Sequence, residues 1–225
     1  MNTCDEIYIH HHLGLGDHII CNGLVREIYK IYSKVYLFCK PHNVNNVKFM
    51  YRDLENLEVL EGDDRESIQY IMNNNLREKY LRIGHENIVR GVNFDESFYK
   101  QLNINFQKRW DSFYILRDKN SESKLYDYLN PSDENYVLIH NKGSDNVDRI
   151  DYNNINENLK KIFVEKSTTM FDYIKLIERA NEIHCIDSSF IHLVDSLNIK
   201  NKKFFHKNYK SRKTKFSLHS NWIEI

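Results

Sequence analysis

Glycine is scarce in this sequence, and its uneven distribution is informative. Only 7 of the 225 residues are glycine, whereas an average usage of about 7% would give roughly 16. Three of the seven lie between Gly14 and Gly23. Because glycine permits tight turns and close backbone approach, this short segment is the first candidate for a functional loop.

The sequence also has few cysteines and no long apolar run. Its 4 cysteines, at positions 4, 21, 39 and 185, show no Cys-x-x-Cys spacing. This pattern argues against a disulfide framework or a zinc knuckle and favours a reducing compartment. No segment approaches the roughly 18–20 apolar residues that span a bilayer, and the N-terminus lacks a secretory hydrophobic region. We therefore expect a cytoplasmic protein without a membrane span.

Charges of the two signs balance over the whole chain but not at its C-terminal end. Lys+Arg and Asp+Glu both number 32, and 41% of residues are hydrophobic, which is typical of a globular protein. Residues 200–215 contain no acidic residue but eight basic ones: Lys200, Lys202, Lys203, Lys207, Lys210, Arg212, Lys213 and Lys215. This stretch is either a solvated face or a site for an anionic surface such as a membrane, with nucleic acid less favoured.

The first half of the chain alternates between strand and helix patterns. Residues 7–9 are β-prone, a glycine break follows, and apolar residues then recur at helical spacing at Ile20, Leu24, Ile28 and Ile31. A short apolar run at 35–39 completes a βαβ unit, which predicts a parallel sheet. Further strands are expected at 57–60 and 80–83, a helix at 66–76, and mostly helix from 95 to 130.

The second half repeats this alternation after a turn-forming cluster at 130–133. Strands are expected at 136–140, 162–164, 183–186 and 203–205. Thr169 and Asp172 have the spacing of a capping box, which marks the start of a helix. The sequence therefore predicts an α/β protein of two small Rossmann-like domains, residues 1–130 and 131–225.

The glycine loop Gly14-Leu15-Gly16-Asp17-His18 follows the first strand and begins the first helix. Such a loop presents backbone N–H groups and a positive helix terminus to an anion or a polar ligand. Ile19 stands where a dinucleotide-binding fingerprint needs its third glycine, so a nicotinamide cofactor is not expected. Asp17 would repel phosphate. It is either a general base or only a helix cap.

A second polar constellation follows the strand at 183–186. Asp187, Ser188 and Ser189 lie at a strand end and a helix start, where open α/β sheets bind ligands, and His192 lies one helical turn further on. The alternative is an ordinary capped core helix whose histidine is satisfied by its neighbours. His140, which ends the strand at 136–140, either orients a substrate or caps its strand.

The run His10-His11-His12 is a weak metal-site signal. It follows a strand, so successive side chains point to opposite faces and cannot all bind one ion. Neither a metal nor a cofactor is therefore expected. One of the three histidines lining a cleft is the more favoured interpretation.

The pair Gly16-Asp17, combined with Asp187-Ser188 and His192 after a late strand, resembles glycosyltransferase family 9, the heptosyltransferase-type family. The similarity is closest over residues 168–197, followed by the first 40 residues. It implies a GT-B fold, in which two Rossmann-like domains with parallel sheets face a cleft and no metal is required.

The resemblance also implies residue roles. Asp17 matches the proposed catalytic base of the family, with Gly14, Gly16 and His18 around it on the acceptor side. Asp187, Ser188, Ser189 and His192 match the motif that contacts the donor diphosphate, although Ser189 replaces a glycine there. Lys142 is a loose match to a donor-binding loop lysine, and His140 is added as a substrate-binding candidate. In this assignment, residues 1–130 bind the acceptor and 131–225 the nucleotide sugar.

The function implied is transfer of a sugar from a nucleotide-diphosphate donor to an acceptor hydroxyl on a glycan or lipid-linked saccharide, in polysaccharide biosynthesis. Residues 200–215 would then hold this cytoplasmic enzyme at the inner membrane face. The alternative is a non-catalytic protein that binds nucleotide sugar or nucleic acid on a degenerate GT-B scaffold. Turnover distinguishes the two, because fold alone does not define activity.

Overall fold

The computed structural model describes residues 4–86, 88–130, 132–165, 169–207, 215–219 and 221–225. Within them, the chain forms strands and helices in alternation. The strands are β1 (Cys4–His10), β2 (Tyr32–Cys39), β3 (Leu57–Glu61), β4 (Tyr80–Arg82), β5 (Tyr136–His140), β6 (Lys160–Phe163), β7 (Glu182–Ile186), β8 (Lys202–His206) and β9 (Trp222–Glu224). The helices are α1 (Leu15–Ile20), α2 (Asn22–Tyr29), α3 (Val44–Met50), α4 (Asp64–Asn73), α5 (Phe94–Gln101), α6 (Lys108–Asp111), α7 (Lys119–Leu129), α8 (Ile174–Arg179) and α9 (Ser189–Ser196).

These elements divide into two compact units. The first holds the described residues up to Leu116 together with 215–217, and the second holds those from Arg117 to 207 together with 218–219 and 221–225. The division therefore falls before α7, and not at the expected boundary of 130/131. The reason is that α7 packs on the second sheet's helices: Lys175 Nζ lies 3.2 Å from Ser123 Oγ and 4.5 Å from the centre of the Tyr126 ring.

The first unit contains a parallel sheet with strand order β3-β2-β1-β4. The predicted βαβ unit is present, but its helix is divided into α1 and α2 at Cys21. Ile20, Leu24 and Ile28 are buried as predicted, whereas Ile31 is 59% exposed. Ile31 departs from the predicted face because α2 ends at Tyr29 and the chain has already turned towards β2.

The second unit contains a sheet with strand order β6-β5-β7-β8-β9, and every pairing in it is parallel. The capping box predicted at Thr169 and Asp172 is confirmed, and it begins a short 3₁₀ turn that leads into α8. β9 was not predicted. It adds Trp222 and two following residues to the edge of β8.

Part of the basic stretch is built into the second sheet. Lys203 has no exposed surface, and its Nζ lies 5.2 Å from the centre of the Trp222 ring. Lys202 and Lys207 are exposed and pair with Glu182 and Glu224 respectively. The interpretation of this part as a uniformly solvated face is therefore wrong, because Lys203 is buried. Residues 208–214, which include Lys210, Arg212 and Lys213, lie outside the described residues.

A buried ion pair holds the segment 215–217 against the rest of the first unit. Arg109 and Asp95 are both fully buried and form a salt bridge. The backbone N–H of Ser217 donates to Asp95 Oδ2 at 2.8 Å, and Arg109 Nη1 donates to the Ser217 carbonyl oxygen at 2.7 Å. Because both charges are desolvated, their mutual pairing and these backbone contacts are needed to offset the cost of burial.

In the described part of the chain, no helix combines the length and apolarity needed to cross a membrane.

Candidate functional site

The second sheet brings together two of the predicted site residues. His140 ends β5, and Ser188 follows β7, the strand that pairs with β5 in parallel. Parallel neighbours end at the same edge of a sheet, so the two side chains meet there. Ser188 Oγ lies 3.1 Å from His140 Nδ1. The carboxyl edge of this sheet therefore carries a polar pair drawn from two separate strands.

The same edge is the N-terminus of α9. Ser188 is its N-cap and accepts a hydrogen bond from the Phe190 backbone N–H at 3.3 Å. Asp187 and Ser189, on either side of it, are partly exposed. The first N–H groups of an eight-residue helix have no partner within the helix, and the helix dipole adds a partial positive charge. This end of the helix can accept an anionic group, such as a phosphate.

His140 is held as a neutral ring. Burial lowers its pKa to about 4, so it carries no positive charge at neutral pH. Its ring stacks on Phe190, with centroids 5.0 Å apart and planes inclined by 12°. His140 can therefore exchange a hydrogen bond with Ser188 or with a ligand, but it does not supply charge to an anion.

The other donor-side candidates are more scattered. His192 is only 4% exposed on α9, so it contributes to the core behind the helix N-terminus. Lys142 lies exposed in the loop after β5, and its backbone forms an isolated bridge with Asp148. Burial acts to raise the pKa of the Asp148 carboxyl, but hydrogen bonds from Tyr152 and Asn141, together with the smaller effect of the Lys142 charge, lower it. Lys142 thus places an exposed positive charge on the loop after β5, and its contact with a donor stays a prediction.

In the first unit, the glycine loop follows β1 as predicted and α1 begins directly after it. Gly14 is the N-cap of α1, and Asp17 is the third residue of the helix. Asp17 is therefore not itself the N-cap residue, and both interpretations of it, as a general base or as a residue that stabilises the helix start, stay predictions. Gly14 has an ordinary extended backbone, but a Cβ built on it would lie only 2.5 Å from Asp17 Oδ2. The Asp17 carboxylate thus folds back over Gly14, and any larger residue at position 14 would require this carboxylate to move.

Asp17 and Gly16 are both partly exposed. The carboxylate in the first turn of α1 is therefore accessible from solvent, and its role as a general base stays a prediction.

His18 belongs to the core of the first unit. It has no exposed surface, and its ring packs edge-on against His11 with centroids 4.4 Å apart. Neither ring nitrogen has a hydrogen-bond partner among the described residues. Burial lowers its pKa well below the usual value. The assignment of His18 to substrate binding is not supported by this placement, because residue 18 lies on the inner face of α1.

Sequence reasoning missed a polar cluster at the carboxyl edge of the first sheet. His10 ends β1, His85 follows β4, and Asp64 is the first residue of α4, after β3. One ligand atom from each lies within 4.8 Å of the other two. Each residue lies at or shortly after a strand end, which is the one sequence signal for this cluster. Adjacency in the sequence carries no signal, because the three residues are far apart in the chain and meet only through the strand order.

Comparison with known proteins supports the fold on which this site is built. No protein-family model and no curated protein sequence matches the chain. Among solved structures, a family 9 glycosyltransferase from Veillonella parvula matches with a TM-score of 0.62 and 10% identity, over 100% of this chain and 87% of that one. E. coli ADP-heptose heptosyltransferase II gives 0.58 and 9%, over 99% and 90%. E. coli heptosyltransferase WaaC, with ADP-2-deoxy-2-fluoro heptose, gives 0.52 and 9%, over 98% and 92%.

These likenesses define the class of protein by its fold. The chain is a GT-B-like α/β protein with two parallel sheets. More narrowly, its fold is that of the heptosyltransferase-like members of glycosyltransferase family 9, as the sequence resemblance predicted. At about 10% identity, the likeness establishes the fold, and activity has to be argued from the residues.

Proposed function

We propose that this protein transfers a sugar from a nucleotide-diphosphate donor to an acceptor hydroxyl and needs no divalent metal at the diphosphate. The observation that carries the proposal is the hydrogen-bonded pair Ser188–His140 at the N-terminus of α9. It lies in a fold shared with enzymes whose names specify nucleotide-sugar donors. The cytoplasmic location and the role in polysaccharide biosynthesis are part of this proposal.

The donor side of the proposal uses the second unit. The departing diphosphate gains negative charge as the glycosidic bond breaks, and a helix N-terminus stabilises such charge without a metal ion. The hydroxyls of Ser188 and Ser189 and the N–H groups of α9 supply hydrogen bonds there. Lys142, on the loop after β5, would add a positive charge. Asp187 and His192 would hold the start of the helix in place.

The acceptor side uses the glycine loop of the first unit. Asp17 accepts the proton of the acceptor hydroxyl while that oxygen forms a bond to the anomeric carbon. The bond between the anomeric carbon and the diphosphate oxygen breaks, and its electron pair leaves with the nucleoside diphosphate. Gly14 and Gly16 leave room beside the carboxylate. General-base assistance of this kind typically contributes about 10²–10⁴-fold in rate.

The donor and acceptor are proposed as chemical classes. The two E. coli neighbours are named for ADP-heptose and an ADP-heptose analogue, which supports a nucleotide-diphosphate sugar as the donor class. The acceptor class is a glycan or lipid-linked saccharide hydroxyl. The basic stretch at 200–215 would bring the protein to an anionic membrane that carries such an acceptor.

The proposal is tested by measuring nucleoside-diphosphate release from a panel of nucleotide sugars, with saccharide acceptors and with or without a chelator. We expect one donor–acceptor pair to give turnover that the chelator leaves unchanged. Donor binding that is lost on chelation would contradict the metal-free donor site. Tight donor binding without release in any pairing would favour the alternative, a non-catalytic binding protein.

A further inference from the structure

Three side chains that the proposed transfer reaction does not use converge in the first unit. Nε2 of His10 lies 3.1 Å from Asp64 Oδ1, and Nε2 of His85 lies 3.7 Å from the same oxygen. The three residues come from distant parts of the sequence. They meet because β1 lies beside β4 and because β3 ends at the same edge of the parallel sheet.

We propose that His10, Asp64 and His85 form a binding site for a divalent transition-metal ion of the Zn²⁺ type. Two imidazoles and one carboxylate are a ligand set that such ions favour. Bonds of about 2.0–2.1 Å in a tetrahedral site place ligand atoms roughly 3.3 Å apart. Two of the separations, 3.1 and 3.7 Å, already lie near this value. The third separation, between the ligand nitrogens of His10 and His85, is no more than 4.8 Å, and rotation of the partly exposed His85 ring would shorten it.

One ring nitrogen of the cluster is available to bind an ion. Nε2 of His85 is buried and has no hydrogen-bond partner among the described residues, although it is directed towards Asp64. A nitrogen placed in this way can bind an ion without first giving up a hydrogen bond.

An outer hydrogen bond orients one of the ligands. Nδ1 of His10 lies 2.5 Å from the Tyr80 hydroxyl. A metal-bound histidine commonly donates its second N–H to such a partner, which fixes its tautomer and ring orientation. In the proposed site, His10 donates Nδ1–H to Tyr80 and binds the ion through Nε2. The contact between His10 and Tyr80 is therefore the arrangement that a metal ligand needs.

The site is open to solvent on the side of its carboxylate. His10 has no exposed side-chain surface, but 18% of His85 and 46% of Asp64 are exposed. An ion can enter past Asp64 and keep a water molecule as its fourth ligand, as open zinc sites do. His12 is not one of the residues whose ligand atoms converge here, and its Nε2 lies 2.9 Å from the Gly84 carbonyl oxygen.

One neighbouring charge opposes the ion and provides a sharp test. Lys40 Nζ lies 3.9 Å from the other carboxylate oxygen of Asp64. If the cluster were only a hydrogen-bonded pair of histidine and aspartate, removing Lys40 would have no effect on metal affinity. In a metal site, Lys40→Gln removes a like charge and should tighten binding several-fold.

The experiment titrates the full-length, chelator-stripped protein with Zn²⁺, and with Co²⁺ as a spectroscopic probe. We expect one ion per chain and the visible absorption bands of a four-coordinate Co²⁺ ion. Loss of an outer partner typically weakens metal affinity about 10–100-fold, so Tyr80→Phe should fall in this range. Asp64→Asn and His85→Gln should weaken it at least as much.

Matched controls separate the site from adventitious binding. His42 is exposed in the same unit, and Asp127 is 74% exposed in the other, so His42→Gln and Asp127→Asn should bind like the wild type. Circular dichroism confirms that each variant is folded. The proposal is overturned if Zn²⁺ binding is equal in wild type, Asp64→Asn and His85→Gln, or if no ion binds. Because the ion lies in the first unit, nucleotide-diphosphate binding in the second should not depend on it, so the two proposals fail independently.

Discussion

Ser188 Oγ lies 3.1 Å from Nδ1 of His140, and this contact joins two residues that are 48 positions apart in the sequence. It depends on the parallel pairing of β5 with β7, which ends both strands at one edge. Ser188 also caps α9, so the same hydroxyl accepts a hydrogen bond from the Phe190 N–H and shares one with His140. Any ligand held at the start of α9 therefore meets a polar surface built by two strands and one helix.

Replacing Asp17 by Asn tests the proposed base. As a base, Asp17→Asn should lower turnover at least about 100-fold. Loss of the first-turn charge should cost only about 0.3–1 kcal/mol in the free energy of unfolding. Steady-state kinetics and thermal unfolding measure the two quantities separately.

The matched control for this variant is Glu96→Gln. Glu96 is also an acidic residue in the first turn of a helix of the first unit, in α5, but it has no proposed role in the reaction. Its variant should keep wild-type turnover and show a similarly small loss of stability. Near-full activity of Asp17→Asn on an identified acceptor would limit Asp17 to stabilising α1.

His18 predicts an unusual response to pH. Its pKa is depressed in the folded protein, so its contribution to stability is complete above about pH 6.5, the usual value for an unfolded chain. That contribution falls as the pH drops below this value, by about 1.4 kcal/mol per unit for each such histidine. Between pH 6.5 and 5, the free energy of unfolding should therefore fall less steeply with decreasing pH in His18→Leu than in the wild type. The difference in slope corresponds to one bound proton.

Denaturant unfolding at several pH values measures this slope. His18→Leu should also raise stability at pH 7 by about 1 kcal/mol or more, because it removes buried nitrogens that lack partners. His42→Gln, at an exposed histidine, should reproduce the wild-type curve. An unchanged slope in His18→Leu would show that residue 18 is accessible to protons in the folded state.

The buried pair of Asp95 and Arg109 should matter far more than a surface pair. Removing one partner leaves a buried charge uncompensated, so Asp95→Ala should lower the free energy of unfolding by about 3–5 kcal/mol. Adding Arg109→Met should recover part of this loss. Glu58→Ala breaks the exposed pair with Lys34 and should cost no more than about 1 kcal/mol. Equal losses in Asp95→Ala and Glu58→Ala would contradict the burial argument.

The proposed membrane contact predicts salt-sensitive binding to acidic vesicles. Contacts between exposed charges are screened, with a Debye length of about 10 Å at 0.1 M salt. Replacing Lys210, Arg212, Lys213 and Lys215 by Gln should abolish vesicle sedimentation and leave the circular dichroism spectrum unchanged. Neutral vesicles are the control and should bind neither protein. Binding to acidic vesicles that survives the four replacements would assign this stretch to the solvated surface.

Local signals in the sequence predicted local structure well. The Ser188 cap of α9, the capping box of Thr169 with Asp172, and the strand at 136–140 are all present. Each depends on residues close together in the chain, where spacing alone decides the geometry. The GT-B-like fold followed from the alternation of these elements and from the resemblance to family 9.

Features that depend on tertiary packing were not predictable in this way. The burial of His18 depends on the side of α1 that faces the sheet, and the convergence of His10 with Asp64 depends on the order of strands. The residue that caps α1 is Gly14 and not Asp17, and this depends on where the chain enters the helix. The edge strand at Trp222 was missed because a three-residue strand carries almost no periodic signal.

The proposed transfer reaction depends on binding of the donor diphosphate at the N-terminus of α9. Ser189→Glu tests it because the new carboxylate stabilises a helix start but repels phosphate. Ser189→Gln, similar in size and neutral, is the matched control. At a separation of several ångströms near a surface, the repulsion should cost at least about 1.4 kcal/mol, which is tenfold in affinity.

The decisive measurement is titration calorimetry with ADP, UDP and GDP in the presence of a chelator. We expect at least one of them to bind the wild-type protein and Ser189→Gln with similar affinity. Binding to Ser189→Glu should be at least about tenfold weaker, without a lower melting temperature. If Ser189→Glu and Ser189→Gln bind that nucleotide with equal affinity, or if none of the three binds the wild type, the N-terminus of α9 is not the diphosphate site.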